Sequence, residues 1–435
     1  MQLQLLEAFP LQPGDGVLEQ AMRPTNLLKA YQRVKRNGGA PGVDGETLHQ
    51  FGTKLDQLLT SVREQVLSGS YQPQPVRRVA IPKPGGGERY LGIPTILDRV
   101  LQQALLQVLL PIFDPQFHRW SFGFRPSRGT HQAVLQARQH MQDGYRWVVD
   151  LDLEKFFDRV NHDVLMARIA RRVTDKGALR LIRRYLRAGM MEGGVTAPTI
   201  EGTPQGGPLS PLLSNILLDD LDQELERRGH RFCRYADDCN VYVRSKTGGK
   251  RTMASLTRFL EKRLRLTVNQ QKSAVDRPWK RQFLGYTPNW HSRPKLKVSP
   301  DREKRLKTKA MLLLRPGKGR AIRYTLQELA PKIRGWANYY RLCDVKAPFE
   351  RFDLWLCRRI RILFWRQWKT PQNRFRQMVR RGVDGGRARA LSRTNRGPYW
   401  SAGTWTMRMA ITLQEIRDLG WLSLLEEYQR IKRSA

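Results

Sequence analysis

Two neighbouring aspartates at a predicted hairpin turn constrain this chain more than any other feature of its sequence. Asp237 and Asp238 follow the strand-like run 230–234 and precede the run 239–243, in which apolar and polar residues alternate. A tight turn between two short strands would place both carboxylates at its tip. Adjacent carboxylates repel each other, and a divalent cation would remove that cost. An isolated acidic pair, however, is more often a solvated turn.

A second acidic stretch favours a metal site over a solvated turn. The run 147–153 has the pattern of a buried strand, yet it carries Asp150 and Asp152, and buried carboxylates without a partner are unfavourable. If both strands belong to one sheet, Asp152, Asp237 and Asp238 can converge on a pair of metal ions. Two ions roughly 3.5–4 Å apart support in-line nucleotidyl transfer. One would activate a primer 3′-hydroxyl, and the other would hold the triphosphate and the leaving pyrophosphate.

The charge of the chain predicts a polyanionic partner. Its 435 residues include 78 Lys and Arg against 39 Asp and Glu, a formal net charge of +39, and 40% of them are hydrophobic. This length can hold two or three domains. A chain this basic would bind nucleic acid even without a specific site. Anionic membranes are the alternative, but we find no apolar run near the ~18 residues needed to span a bilayer, so we expect no membrane partner.

The N-terminus and the cysteines indicate the compartment. Residues 1–16 lack the basic start and apolar core of a signal peptide. The four cysteines show no Cys-x-x-Cys spacing, so we expect core thiols rather than disulfides or zinc ligands. We therefore predict a cytoplasmic protein.

Several motifs, in a fixed order, resemble those of reverse transcriptases. Residues 235–238 read Tyr-Ala-Asp-Asp, which resembles the family's signature, and residues 152–158 read Asp-Leu-Glu-Lys-Phe-Phe-Asp, which resembles its first catalytic motif. Residues 203–211, Thr-Pro-Gln-Gly-Gly-Pro-Leu-Ser-Pro, resemble the loop that cradles the template and the newly forming base pair. Together they most resemble the bacterial group II intron reverse transcriptase, or maturase. The resemblance runs from about Asn26 to the C-terminus.

The resemblance implies a set of catalytic and metal-binding residues. Asp152, Asp237 and Asp238 would be catalytic and would bind two Mg²⁺ ions, with Leu153 as a further metal ligand. Asp150 points to the same face as Asp152 because it is two residues away. We rank it lower because only Asp152 is in register with the Phe-Phe-Asp of the motif.

The resemblance also implies residues that hold the dNTP substrate. Arg77 and Lys83 match the fingers positions that bind the triphosphate; Arg suits bidentate phosphate contact and Lys acts as a point charge. Phe157 matches the aromatic residue that excludes a 2′-hydroxyl, with core packing as the alternative. Gln205 would lie near the new base pair. Lys272 matches a palm lysine near the triphosphate that could protonate pyrophosphate, with an ordinary surface lysine as the alternative.

Three further segments match parts of the family. The loop 121–129 contains Arg125 and Arg128, for which phosphate contact and a structural role stay equally open. Residues 283–286, Phe-Leu-Gly-Tyr, match the primer grip. Residues 335–340, Gly-Trp-Ala-Asn-Tyr-Tyr, resemble the maturase or thumb signature, although their aromatic rings could equally be packing residues.

The implied fold is a right-hand polymerase: α+β fingers and palm, an all-α thumb or maturase domain, and a short C-terminal helical DNA-binding segment. The predicted ranges are an N-terminal extension over 1–70, fingers over 71–145, a palm with finger insertions over 146–290, a thumb over 291–390 and the DNA-binding segment over 391–435. Periodicity predicts helices over 26–35, 48–67, 98–110, 161–171, 178–188, 210–228, 256–266, 302–314, 321–341 and 348–369, a hairpin over 71–94 and a loop over 383–398.

The C-terminal third is helical and unusually basic. Residues 301–435 contain 32 Lys and Arg against 11 Asp and Glu, and seven of the chain's 11 Trp. These cations exceed what a solvated helix face needs, so we predict an RNA-binding groove.

The whole pattern predicts an RNA-directed DNA polymerase of group II intron type. Its partners would be an RNA template and a DNA primer, its intron RNA, which it would help to splice, and target DNA. Two alternatives stay open: a domesticated relative in defence, diversity generation, CRISPR adaptation or DNA repair, and a non-enzymatic RNA-binding splicing factor, which the three acids disfavour. No His-Asn-His-type endonuclease follows, so we expect no target cleavage by this chain. The oligomeric state and the cognate RNA stay undetermined.

Overall fold

A computed structural model gives the structure of the protein and describes residues 16–82, 87–192, 195–197, 201–202, 206–315 and 319–434. The chain divides into two compact units, Met1–Arg277 and Pro278–Ala435. This boundary lies inside the range 146–290 predicted for the palm, so residues 278–290 are grouped with the helical C-terminal unit.

The first unit mixes helices and strands. Its helices are α1 (Val17–Ala21), α2 (Pro24–Asn37), α3 (Leu48–Thr53), α4 (Leu55–Ser68), α5 (Ile96–Phe113), α6 (Thr130–Gln142), α7 (His162–Ile169), α8 (Lys176–Arg187), α9 (Ser210–Arg227) and α10 (Lys246–Phe259). Its strands are β1 (Val76–Pro82), β2 (Glu88–Ile93), β3 (Trp147–Leu151), β4 (Met190–Glu192), β5 (Val195–Ala197), β6 (Arg231–Tyr235), β7 (Asp238–Val243) and β8 (Ala274–Asp276). The predicted fingers hairpin is the antiparallel pair β1–β2.

In its described residues, the second unit is helical apart from one hairpin. Its elements are β9 (Tyr286–Pro288), β10 (Leu296–Val298), α11 (Pro300–Leu314), α12 (Ile322–Tyr339), α13 (Ala347–Gln367), α14 (Pro371–Val379), α15 (Gly385–Ser392), α16 (Pro398–Ser401), α17 (Trp405–Ala410), α18 (Leu413–Asp418) and α19 (Leu424–Arg433). Strand β10 falls within the range predicted as an all-α thumb, so that prediction is wrong for residues 296–298.

Local capping explains two other differences from the sequence prediction. The predicted loop 383–398 is wrong because α15 lies within it; the Asp384 side chain accepts a hydrogen bond from the Arg387 amide and starts the helix. Helix α10 begins ten residues before the prediction, because the Ser245 side chain accepts from the Gly248 amide. The next residue, Gly249, is needed for packing, since a Cβ there would lie 2.5 Å from Val275 Cγ1.

Two four-stranded sheets organise the first unit. One has the strand order β2-β1-β4-β5, and in it β1 and β4 run parallel. The other, which we call the catalytic sheet, has the order β6-β7-β3-β8 and is antiparallel throughout. Gly249 of α10 lies against Val149, Val243 and Val275, so this helix covers one face of the catalytic sheet.

Helix α5 is the most apolar helix of the first unit. Within the described part of the chain, Ile96–Gln116 is long and apolar enough to cross a membrane by length and composition alone. The sequence analysis predicted a helix over 98–110 but did not find an apolar run of this length. In the structure 61% of its most apolar window is buried inside the protein, as expected of a core helix.

Candidate active site

The catalytic sheet brings the three predicted acids to one end. In the β3–β7 ladder Leu151 pairs with Cys239, so the next position sets Asp152 beside Asp238. In the β6–β7 hairpin Tyr235 pairs with Asp238, which leaves Asp237 in the turn. Residues opposite each other on antiparallel strands have Cα atoms about 4.5–5.5 Å apart. The register therefore brings acids from two distant parts of the sequence to the same end of this sheet.

The backbone of Asp152 is held while its carboxylate faces solvent. Its amide donates to Ser273 Oγ (3.0 Å), and its carbonyl accepts from the Asn269 amide (2.8 Å). The side chain is 42% exposed, and its Oδ2 lies 3.8 Å from Lys272 Nζ. The predicted palm lysine is thus placed next to the first predicted catalytic acid.

A buried ion pair supports the β6–β7 turn. Arg234, the second-last residue of β6, is fully buried, and its Nε and Nη2 donate to the two carboxylate oxygens of Asp222 on α9 (2.7 and 2.5 Å). Its Nη1 donates to Asn215 Oδ1 (2.9 Å) and to the Ala236 carbonyl (3.0 Å). Burial alone would lower the pKa of Arg234, but the charge of Asp222 outweighs burial and raises this pKa overall. One guanidinium therefore ties the turn to α9.

The segment 121–123 packs against the same turn. The Phe122 amide donates to the Arg234 carbonyl (2.9 Å), and Asn215 Nδ2 donates to the Gly123 carbonyl (2.9 Å). A Cβ at Gly123 would lie 2.2 Å from the Ala236 amide nitrogen, so only glycine fits. Ala236 itself has a φ of 58°, a left-handed conformation that costs energy for a residue other than glycine.

Sequence reasoning missed these supporting residues. Arg234, Asp222, Asn215 and Gly123 lack a distinctive spacing, since they come from three separate elements. The one available signal was Arg234, because it is a charged residue inside a run that otherwise has the pattern of a buried strand. Its meaning depends on Asp222, which only the tertiary structure brings within reach.

The structure resolves the role of Arg125 in favour of a structural one. Arg125 is buried, and its Nε donates to Asp114 Oδ1 (2.7 Å). Its Nη1 donates to the carbonyls of Phe117, His118 and Ser121 (3.3, 2.8 and 3.0 Å), and its Nη2 donates to that of Asp114 (2.8 Å). With its donors directed to these acceptors, Arg125 is not a phosphate ligand.

Arg128 is likewise engaged within the protein. Its Nη1 donates to the Arg119 carbonyl (2.6 Å), and its guanidinium carbon lies 5.7 Å from the centre of the Phe122 ring. Both contacts hold the loop 121–129 in place against the turn that Phe122 supports.

The remaining predicted substrate residues lie in different places. Arg77 is half-buried on β1, opposite Ile93, and so belongs to the other sheet rather than to the one that carries the acids. Phe157 lies in a 3₁₀ turn just after β3 and packs edge-on against Phe156, with ring centres 5.1 Å apart. Lys83 and Gln205 lie outside the described residues. These assignments stay predictions.

Leu153 is buried and forms a bridge with Val268. A leucine offers a metal only its backbone carbonyl. The hydrogen bonds of this bridge use neighbouring groups: the Glu154 amide donates to the Thr267 carbonyl (2.9 Å), and the Asp152 carbonyl is the acceptor for Asn269. The Leu153 assignment also stays a prediction.

The chemistry of the acids fits a hard divalent cation. Asp152, Asp237 and Asp238 offer only carboxylate oxygens, the donors that Mg²⁺ prefers. Within the described part of the chain, no three His, Cys, Asp or Glu side chains are gathered closely enough to hold an ion. The backbone thus places the acids side by side, whereas their side chains are not arranged as a closed ligand shell.

Two titratable groups next to the catalytic sheet have shifted pKa values. Burial, and then the charge of Asp222, raise the pKa of Asp219 on α9 to about 6. Its Oδ1 is buried without a hydrogen-bond partner among the residues that the structure describes. Burial lowers the pKa of His140 to about 4, so this imidazole is neutral near pH 7, with Nε2 3.2 Å from the Phe232 carbonyl.

In the second unit, aromatic residues of the thumb signature hold the predicted primer grip. The Tyr286 hydroxyl donates to the Tyr339 carbonyl, and the Tyr339 hydroxyl donates to the Leu284 carbonyl (2.9 Å). A Cβ on Gly285, which has a φ of 82°, would lie 2.6 Å from the Tyr340 hydroxyl. These rings are therefore packing residues that fix the turn 283–286.

The C-terminal helix is anchored on α13 of the same unit. The carboxylate of Asp353 accepts from the Ser423 hydroxyl (2.7 Å) and from the amides of Leu424 and Leu425 (2.9 and 3.0 Å). The rings of Phe349 and Tyr428 stack with centres 4.1 Å apart. Residues 423–428 thus pack onto the helical unit, and DNA binding by the segment 391–435 stays a prediction.

Comparisons with known proteins match both units. The family model described as reverse transcriptase (RNA-dependent DNA polymerase) matches residues 81–288, and that described as group II intron, maturase-specific domain, matches residues 303–382. Protein YkfC of Escherichia coli K12 is 34% identical over 293 residues, which cover 58% of this chain and 77% of YkfC. The group II intron-encoded protein LtrA of Lactococcus lactis subsp. cremoris is 38% identical over 206 residues, 46% of this chain and 34% of LtrA.

The matches among solved structures are more distant. A Cas6-RT-Cas1–Cas2 complex matches with a TM-score of 0.38 and 24% identity over 58% of this chain and 45% of that one. Telomerase from Candida tropicalis matches with a TM-score of 0.42 and 15% identity over 52% and 55%.

The family matches confirm the predicted polymerase fold, with mixed helix and sheet followed by a helical C-terminal region. They also confirm the prediction of an RNA-directed DNA polymerase. A reverse transcriptase domain implies dependence on a divalent metal and a dNTP substrate, and a maturase domain implies binding of intron RNA. The chain belongs to the family of group II intron reverse transcriptases and maturases.

Proposed function

We propose that the protein copies an RNA template by adding dNTPs to a DNA primer, using two Mg²⁺ ions held by Asp152, Asp237 and Asp238. The observation that supports this most is the register of the catalytic sheet, which sets Asp152 beside Asp238 and places Asp237 in the adjoining turn. All three donors are carboxylates at one sheet end, which suits the pair of metal ions used for in-line nucleotidyl transfer.

When bound, the two ions would supply an activated primer hydroxyl and a counter-charge for the triphosphate. The protein contributes the positions of the groups around them. Arg234 fixes the β6–β7 turn through the Ala236 carbonyl, and so it orients Asp237 and Asp238. The ammonium of Lys272 would donate a proton to the leaving pyrophosphate; its position 3.8 Å from Asp152 Oδ2 supports this role.

The other assigned residues select the substrate. Arg77 and Lys83 would hold the triphosphate, Phe157 would exclude a 2′-hydroxyl, and Gln205 would lie at the new base pair. The described position of Phe157 supports its role, because it follows β3 within the same motif as Asp152 and is half-buried rather than part of the core.

The helical unit extends the function to intron RNA. We propose that it assists splicing of its intron, and that the protein also binds target DNA and works as a ribonucleoprotein in a bacterial cytoplasm. Its charge supports this, since residues 301–435 contain 32 Lys and Arg against 11 Asp and Glu. Phosphate contacts by such cations make affinity fall steeply with salt.

One assay tests the metal assignment. The double variant Asp237→Ala/Asp238→Ala should lose primer extension on an RNA template and keep RNA affinity, because the acids bind metal rather than RNA. Asp143→Ala, an exposed acid at the end of α6, is the matched control and should extend normally. Unchanged extension by the double variant would refute the assignment.

A further inference from the structure

The tip of the β9–β10 hairpin presents a tryptophan to solvent. Trp290 is 71% exposed, and it lies between Pro288, which ends β9, and Leu296, which begins β10. A single exposed apolar side chain is common on protein surfaces and needs no special explanation. Three further observations give this one a functional meaning.

The first observation is that the loop is built to hold a fixed shape. The side-chain oxygen of Asn289 accepts from the amides of Lys295 (2.9 Å) and His291 (3.4 Å), and the Asn289 amide donates to the Lys295 carbonyl (2.9 Å). The Arg293 amide donates to His291 Nδ1 (3.2 Å). A loop fixed in this way presents the indole with little further loss of conformational entropy on binding.

The second observation is that both ends of the β9–β10 ladder are clamped. At the end next to the loop, the Leu296 amide donates to Asp344 Oδ2 (2.8 Å), and the Asp344 amide donates to the Leu296 carbonyl (2.8 Å). At the base of the hairpin, the Tyr286 hydroxyl donates to the Tyr339 carbonyl on α12. The hairpin is therefore rigid from its base to its tip, as a recognition element must be.

The third observation is the charge of the hairpin itself. Residues 286–298 contain no acid, and their cations are Arg293, Lys295 and Lys297. Arg293 and Lys295 lie in the loop itself and are exposed. Aromatic faces combined with surrounding cations are how proteins bind single-stranded nucleic acid, since the rings stack on bases and the cations contact phosphates.

The hairpin also connects this site to the predicted primer grip. Tyr286, the last grip residue, pairs with Val298 at the start of the hairpin. Trp290 is four residues further on, at most ~13 Å along an extended strand. That length matches about four stacked nucleotides at about 3.4 Å each.

We propose that Trp290 stacks on an unpaired base of a nucleic-acid strand bound along this hairpin, with Arg293 and Lys295 on the flanking phosphates. This proposal rests on the proposed function, because the proposed polymerase activity is what identifies the ligand as a template or primer strand. The strand is either the RNA template or the DNA primer, and the two present the same chemistry to an indole and two cations.

A scan with single abasic nucleotides tests this site in the full-length protein. One base at a time is removed from a primer–template, in either strand, and affinity is measured at a salt concentration that suppresses non-specific phosphate binding. At one position, base removal should weaken binding to the native protein about 5- to 150-fold. Trp290→Ala should abolish the effect of that one nucleotide, and Trp290→Phe should retain most of it.

The matched control is Tyr324→Ala on α12, which removes a ring that is 62% exposed and lies outside the hairpin. It should leave the scan unchanged. The strand that carries the sensitive nucleotide identifies the ligand as template or primer. If no position distinguishes Trp290→Ala from the native protein, the proposal is overturned and the indole serves another partner.

Primer extension by the native protein on the same duplex separates the two proposals. If the native protein extends the primer but its abasic scan is the same as that of Trp290→Ala, the stacking site is rejected and the polymerase assignment stands. If the native protein does not extend the primer but the scan shows a nucleotide whose effect depends on Trp290, the polymerase assignment is rejected and the stacking site stands. Melting curves of each variant exclude unfolding as the cause of a lost effect.

Discussion

The ion pair beneath the β6–β7 turn gives the sharpest prediction. Arg234 and Asp222 are both completely shielded from solvent, so neither charge can be solvated if the other is removed. Arg234→Met replaces the guanidinium by an apolar chain of similar length and leaves a buried carboxylate without a counter-charge. It also removes the donor to Asn215 and to the Ala236 carbonyl.

The expected loss of stability follows from this burial. Breaking a buried pair by removing one partner costs about 3–5 kcal/mol, against a total unfolding free energy of about 5–15 kcal/mol for a domain. Replacing both partners by apolar residues removes the uncompensated charge and is often neutral or stabilising. Arg234→Met/Asp222→Leu should therefore recover most of the unfolding free energy in a urea titration.

Catalysis should not recover with stability. Neither variant restores a donor to the Ala236 carbonyl, so the turn that carries Asp237 and Asp238 remains unsupported. A displacement of about 1 Å in reacting groups can cost about 100-fold in rate. We expect kcat for primer extension to fall by about that factor in the single and the double variant, with primer–template affinity unchanged.

The result that would refute this reasoning is a double variant that regains both stability and kcat, because the turn would then hold its shape without Arg234. A single variant that loses less than about 1 kcal/mol would also contradict the expected cost of burial. Arg361→Met is the control: this buried arginine of the second unit donates to the Ile411 carbonyl. It should destabilise its own unit and leave the kcat of folded enzyme unaltered.

Three further changes test other parts of the site. The pKa of Asp219 is raised to about 6 from 3.8, so its contribution to the unfolding free energy should decline by at most about 3 kcal/mol as the pH rises from about 4 through about 6. In urea titrations at several pH values, Asp219→Asn should reduce this dependence of the unfolding free energy on pH, and an unchanged dependence would contradict the raised pKa. Gly123→Ala forces a Cβ to within 2.2 Å of the Ala236 nitrogen and should abolish primer extension at temperatures where circular dichroism shows folded protein; normal extension would mean that the turn can move. Phe157→Ala should raise incorporation of ribonucleotides relative to dNTPs at least about tenfold in single-nucleotide assays, while an unaltered ratio would assign the ring to packing.

The two acidic strands were predictable because each depends on a strand pattern and on a motif that is continuous in sequence. The alternation after Asp238 identified β7, and the buried run before Asp152 identified β3. The pairing of Leu151 with Cys239 was not predictable, because register depends on how the sheet packs as a whole.

Tertiary partners explain what the sequence could not show. Arg125 and Arg77 are both arginines in matched segments, yet one is buried among carbonyl acceptors and the other is half-exposed on a strand. Glycines 248 and 249 precede the helix predicted over 256–266, yet both lie in α10, and Gly249 is what lets α10 approach Val275. In each case the deciding atom belongs to a residue distant in sequence, so local propensity carries no information about it.

The pairing of β3 with β7 also has an evolutionary consequence. Because side chains alternate between faces along a strand, inserting or deleting a single residue within Trp147–Leu151 would turn Asp152 away from Asp238 and reverse every neighbouring side chain. Length variation among homologous chains should therefore be absent from this strand and concentrated in the connections on either side. Homologues whose alignment shows gaps within residues 147–152 are expected to lack nucleotidyl transfer activity.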